Sequence, residues 1–397
     1  DYYASRGLGD VYKRQVLIEH QTRDDEDYIV FIAEQKFNEA KPIWFYFRVS
    51  GLTKERTVFR IGNAHQFLMD ADISEFAGDA PVYRELDGQW KRTQKCTIEF
   101  EEDGFPIVEF IIDNCPHDVE VAFCFPYGPT QLKETMSAVE GFEKRCIGYS
   151  TKGNPIYRYA TDGGRKNNKP GIYLLSRQHA QETGGAWVLD GILRYFGSEE
   201  GRAYREKLSI WVTPMVDVDG VLYGAYGKDQ AVGDMNRAWT SKFQKRTEID
   251  CVIQDMERWF ECCHGKYVMD LHSPAHEVLG MLVNLHIQRI PDAHIQILQD
   301  FITHINMELD GTGLELFKPN LVPPTIIGSS QGNSQMLQFF TEERFNIPTF
   351  VMEMTYEGSK EGRLFEIEDY HKYGKYVAIT MAKTLLNQYD HEEGSCK

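Results

Sequence analysis

The chain has 397 residues, of which 42% are apolar and 13% aromatic. That content excludes a disordered or collagen-like polymer, neither of which can bury enough surface to form a core. Sixty acidic against 43 basic side chains leave a net charge of −17, which argues against non-specific nucleic-acid binding and broad attraction to anionic membranes, since both need a basic surface.

At roughly 100–200 residues per domain the length predicts two or three domains. Residues 1–15, DYYASRGLGDVYKRQ, have neither a helix nor a strand period and read as a non-native or flexible leader outside the fold. From 16 to 130 the runs IVFIAEQ, PIWFYFRVSG, RTVFRIGN, CTIEFEE, PIVEFIIDN and VEVAFCFPYG are short, apolar or alternating, and separated by Asp, Gly, Asn and Pro. Strands at this spacing predict an N-terminal antiparallel β-sandwich. TQLKETMSAVEGFEKR (130–145) reads as a helical connection.

Over 131–397 the pattern changes. The candidate strands GIYLLS, SIWVTPMV, KYVMDLH, GMLVNLH and TFVMEMT alternate with the helical patterns TGGAWVLDGILRYF, EIDCVIQDMERWFEC, DAHIQILQDFITHINMEL and DYHKYGKYVAITMAKTLLNQ. Apolar strands alternating with amphipathic helices predict an α/β domain around a mixed, mostly parallel sheet. Sites in such sheets sit beyond the carboxyl ends of the strands. The eight cysteines are scattered without a CxxC pair, no N-x-S/T sequon occurs, and no signal-like or membrane-length apolar run is present. These features predict a cytoplasmic protein with no membrane partner and no nucleic-acid partner.

Polar groups cluster at the strand ends. GIYLLS runs into Arg177-Gln178-His179-Ala180-Gln181-Glu182, and SIWVTPMV leads to Asp217-Val218-Asp219-Gly220 and then Asp234-Met235-Asn236-Arg237. KYVMDLH ends in Asp270-Leu271-His272-Ser273, and TFVMEMT carries Glu353. His179 and Glu182 would share a helix face if a helix began there. Alone this spacing fits a metal pair or an ordinary helix start, because a catalytic zinc site needs three protein ligands. Four such constellations together are more telling, since burying an unpaired ionisable group is costly.

Together, H-x-x-E, D-x-N-R, a strand-borne D-L-H-S and a late strand-borne Glu resemble the M14, or carboxypeptidase A-like, zinc metallocarboxypeptidases. CIGYSTKGNPIYRYAT resembles that family's entry to its catalytic domain, and WFYFRVSG and VAFCFPYGPTQL resemble the β-domain of its cytosolic carboxypeptidase branch. The resemblance implies one zinc ion per chain, bound by His179, Glu182 and His272, with one position open. It implies Asp234 as acceptor for the second ring N–H of His179, Asn236 and Arg237 as the grip on a substrate carboxylate, and Glu353 as general base. Two departures stand out. The stretch VLYGAYGKDQAVGDM lacks the arginine that the family uses to polarise the scissile carbonyl, and Lys228 stands about where it is needed. TIIGSSQGNSQML lacks the family's mobile tyrosine.

The function implied is hydrolysis of the C-terminal amide bond of a peptide or protein tail. A zinc deacylase acting on N-acyl amino acids would share the ligands and the carboxylate grip. A catalytically inactive peptide-binding module would retain the zinc and release no amino acid.

Overall fold

The computed structural model describes residues 15–33, 44–64, 80–227, 234–240, 246–273, 281–286, 289–321, 336–356, 358 and 363–395. The first nine strands are β1 (Gln15–Thr22), β2 (Glu26–Ala33), β3 (Tyr46–Ser50), β4 (Arg56–Ile61), β5 (Val82–Glu85), β6 (Lys91–Arg92), β7 (Thr97–Phe100), β8 (Pro106–Asp113) and β9 (Asp118–Ala122). They form two sheets, ordered β1-β2-β4-β8-β7 and β3-β9-β5-β6. Alternation along β8 buries Val108, Phe110 and Ile112 on one face, the period of two expected of a half-buried strand. Phe110 stacks on Phe59 of β4 and on Phe45 just before β3, and Phe31 of β2 meets Phe47 of β3 at 4.7 Å between ring centroids. The two inner faces thus close a sandwich. One pair departs from the antiparallel expectation: β2 and β4 run parallel, because the chain crosses to the other sheet through β3 between them. The leader expected over 1–15 lies outside the described residues except for Gln15, which opens β1.

The helix expected over 130–145 is shorter. Helix α1 (Pro129–Ala138) ends before Gly141, and Glu143 opens β10 (Glu143–Tyr149), which pairs antiparallel with β11 (Pro155–Ala160). The remaining elements are β12 (Pro170–Ser176), α2 (Thr183–Gly197), α3 (Arg202–Lys207), β13 (Ser209–Thr213), α4 (Val218–Tyr223), α5 (Thr247–Cys262), β14 (His264–His272), β15 (Met281–Leu285), α6 (Asp292–Leu309), β16 (Phe317–Leu321), α7 (Leu337–Phe345), β17 (Thr349–Met354) and α8 (Ile367–Ser395).

Strands β10 to β17 form one mixed sheet ordered β10-β11-β13-β12-β14-β17-β15-β16, with its centre β13-β12-β14-β17 parallel. Every residue of β12 is buried, as required of a strand covered on both faces. Its alternate residues feed two cores. Ile172 and Leu174 share one core with Val188 and Ile192 of α2, Phe301 of α6 and Val377 of α8, whereas Tyr173 and Leu175 share the other with Val252, Met256 and Trp259 of α5 and Phe340 of α7. The first of these cores continues into the sandwich interior.

The layers also meet through polar contacts. Arg92 of β6 donates from Nε to Phe365 O at 3.0 Å and from Nη2 to Tyr356 O at 3.3 Å, and Trp187 Nε1 donates to Phe125 O at 3.0 Å. Among the described residues no helix is long and apolar enough to cross a membrane.

Candidate metal centre and active site

The carboxyl ends of β12, β14 and β17 point to one place. His179 and Glu182 follow β12, and both precede α2, which begins at Thr183. They therefore share a turn, closed by Glu182 N donating to His179 O at 3.2 Å, and not the helix face that their spacing allowed. Glu182 is the N-cap residue of α2, so its carboxylate stands at the positive end of the helix dipole. His272 ends β14, two residues after Asp270, which puts both side chains on one face of the strand.

His179, Glu182 and His272 are 4%, 1% and 3% exposed. Each offers one ligand atom, and these atoms lie within 4.8 Å of one another. Nδ1 of His179 is 2.7 Å from Glu182 Oε1, and Nδ1 of His272 is 2.6 Å from Glu182 Oε2. The opposite ring nitrogens face other carboxylates: His179 Nε2 lies 2.8 Å from Asp234 Oδ1, and His272 Nε2 lies 2.8 Å from Asp270 Oδ2. Each ring thus lies between two carboxylates, and with a metal on Nδ1 the proton of each would stay on Nε2, facing Asp234 or Asp270. Three buried donor groups thus converge on one point, where a bound cation would be met by all of them. Burial alone would lower the His272 pKa, yet the Asp270 and Glu182 carboxylates outweigh it and hold the ring well above its ordinary value. The donor set of two imidazole nitrogens and one carboxylate is that of a catalytic zinc site.

A second ring of contacts braces the donors. Gln178 Nε2 donates to Asp270 Oδ2 at 2.6 Å, and Gln178 Oε1 accepts from Trp239 Nε1 at 2.7 Å. Asp234 also accepts from Asn236 N at 2.7 Å. Arg177 adopts a left-handed φ of 58°, a strained conformation for a residue with a side chain. Its buried guanidinium donates from Nε to Ala180 O at 2.9 Å and from Nη1 to Tyr127 O at 2.5 Å, tying the ligand turn to the end of the sandwich. Burial lowers its pKa to about 10, so it stays charged at neutral pH. Sequence reasoning gave Arg177, Gln178 and Asp270 no role. The D-x-H spacing on a strand was the available signal for Asp270, whereas the partners of Gln178 and Arg177 lie far along the chain.

Glu353 lies in β17 directly beside His272, its register partner on β14, so their side chains share a face. Asn284 Nδ2 donates to Glu353 Oε1 at 3.2 Å and is itself held through Oδ1 by Asn320 Nδ2 at 2.7 Å. Arg237 is part-exposed, with Nη1 on Asn236 O at 3.2 Å and 3.9 Å from Asp234 Oδ2. Asn236 is buried, its amide 3.5 Å from His272 Nε2 and its Oδ1 3.4 Å from Leu337 N. Just past β15, buried His286 packs edge-on against Phe339, with Arg289 over the same ring. Burial, with Arg289 and Arg237 near it, lowers the His286 pKa to about 4. Lys228, and most of the stretch 325–337 that lacks a tyrosine, lie outside the described residues.

Comparison with known proteins agrees with this geometry. The zinc carboxypeptidase family model matches residues 136–278, which include the three converging donors. Cytosolic carboxypeptidase 6 of Caenorhabditis elegans is 26% identical over 230 residues, covering 54% of this chain and 50% of that protein. Cytosolic carboxypeptidase 2 of Danio rerio is 26% identical over 254 residues, covering 57% and 34%. The chain thus spans half or less of the length of these curated relatives. A metallo-carboxypeptidase from Pseudomonas aeruginosa in complex with (2-guanidinoethylmercapto)succinic acid superposes with a TM-score of 0.75 at 18% identity, covering 97% of this chain and 100% of that one. One from Burkholderia cenocepacia gives 0.73 at 16%, covering 94% and 96%. The sandwich and the α/β layers are thus shared as one fold with these metallo-carboxypeptidases, the buried His-Glu-His set lies inside the segment that matches the zinc carboxypeptidase family model, and together these likenesses support an M14, cytosolic carboxypeptidase-like protein.

Proposed function

We propose that this protein is a cytoplasmic carboxypeptidase that hydrolyses the C-terminal amide bond of peptides or protein tails, with one zinc ion held by His179, Glu182 and His272. The observation that carries the reading is the convergence of those three buried donors within 4.8 Å, with Glu353 in register beside His272. Bound there, zinc supplies a nucleophilic water at neutral pH and polarises the scissile carbonyl.

The chain's own groups do the rest. Asp234 and Asp270 hold the two imidazoles with Nδ1 facing inward. Glu353, held at Oε1 by Asn284, takes a proton from the attacking water and returns it to the leaving amine. Arg237, with Asn236 beside it, receives the terminal carboxylate and so fixes which bond is presented. Lys228 is assigned the charge that stands in for the family's carbonyl-polarising arginine.

Two measurements test this: zinc content, and the amino acids released from a mixed peptide library with and without chelator. His179→Ala and Glu182→Ala are expected to lose stoichiometric zinc and activity together. Glu353→Gln is expected to keep zinc and lose about 10²–10⁴-fold in kcat. Full activity in either ligand variant, or release of acyl groups and no terminal amino acids, refutes the reading.

A further inference from the structure

A separate cavity of about 530 Å³ opens between α1, the β10–β11 hairpin and α4. This is the size of a small-molecule site. Its walls are Leu132, Met136, Phe142, Tyr157, Val218 and Leu222, and none of these six belongs to the metal centre. Two observations give the cavity a chemical preference.

The first is charge. Lys133 of α1 and Lys144 of β10 come from different elements to the same cavity, and neither pairs with a carboxylate among the described residues. Elsewhere on this acidic chain Lys318, Lys375 and Lys383 each hold a glutamate. The Lys144 ammonium rests 3.6 Å from the centre of the Tyr157 ring and 5.9 Å from that of Tyr159, positions that leave it free to meet an anion. The second is a polar group within the wall. Tyr159 is only 5% exposed and lines the cavity, and its hydroxyl, which bonds no described side chain, is open to it. Burial raises its pKa to about 12, so at neutral pH it is a donor.

We propose that this cavity is a second binding site, for a free single-chain anionic amphiphile: an apolar tail seated among Leu132, Met136 and Phe142, and a carboxylate met by Lys144, Lys133 and the Tyr159 hydroxyl. The net charge of −17 repels anions over most of the surface, so two unneutralised ammoniums at an apolar mouth select an anion that also carries a tail.

Calorimetric titration with dodecanoate below its micelle threshold tests the site, in zinc-loaded and chelator-stripped protein. One-to-one binding that persists without zinc is expected. Removing two methylenes, as decanoate, is expected to weaken it roughly tenfold. Lys133→Glu/Lys144→Glu, at two exposed positions that do not support the core, is expected to weaken it about tenfold, and Tyr159→Phe to weaken it by about the same factor. Met136→Trp fills the cavity and abolishes it. Equal affinity for dodecyltrimethylammonium, unchanged affinity in the charge-reversed or filled variants, binding only with zinc present, or binding of hexaglutamate without dodecanoate would each overturn the proposal.

Discussion

At the scale of single residues, the proposed metal centre depends on carboxylates that touch its histidines from behind. Asp270 meets Nε2 of His272 and is itself gripped by Gln178. Asp270→Asn keeps the shape but presents an amide of ambiguous polarity. Metal affinity is expected to fall about 10–100-fold, read by competition with a chromophoric chelator, and an unchanged affinity would remove Asp270 from the centre. His286 makes a separate prediction. Its folded pKa of about 4 lies below the ordinary 6.5, so between those values the unfolded chain binds the proton and the native state does not. Stability therefore falls as pH drops through that window, by up to about 1.4 kcal/mol per pH unit. His286→Phe is expected to flatten this part of the curve of urea midpoint against pH. A slope identical to that of the parent protein would show that the ring is not kept neutral.

Among elements, the ligands meet because α2 starts hard against β14. A Cβ built on Gly185 would stand 2.7 Å from Leu271 O and 3.0 Å from His272 O, so only glycine lets the helix approach the strand that carries the third ligand. Gly185→Val is expected to cost about 1–3 kcal/mol and to weaken zinc binding, measured by urea unfolding with and without chelator; equal destabilisation in both conditions would show that the packing does not reach the metal. Here the limits of the sequence become physical. The central strands and α6 are legible because burial on both faces writes an unbroken apolar run and a long helix writes a 3.6-residue period. TQLKETMSAVEGFEKR misleads because β10 is an exposed edge strand whose charged residues imitate a helical surface. β1, β5, β6 and α7 are short or at edges and write little pattern. His179, Glu182, His272 and Glu353 are recognisable because each must follow or sit near the end of an apolar strand. Arg177 and Gln178 act through backbone carbonyls and an indole far along the chain, and no local spacing encodes that.

For the whole molecule, the sandwich and the α/β layers share an apolar interior and are sewn by Arg92, whose guanidinium reaches Phe365 O, Tyr356 O and Ala80 O while lying over the Phe125 ring. Arg92→Ala is expected to lower the unfolding free energy by about 3 kcal/mol, read as a lower urea midpoint at an unchanged m-value, since several bonds from a charged donor are lost together. A biphasic transition in the parent protein would contradict the single cooperative unit this seam implies.

The strand of hydrogen bonds from Tyr127 O through Arg177 to Ala180 O reaches the turn that carries His179. The segment that leads out of the sandwich thus braces the turn that carries His179, and a fragment cut at this junction would lose that support as well as expose apolar surface.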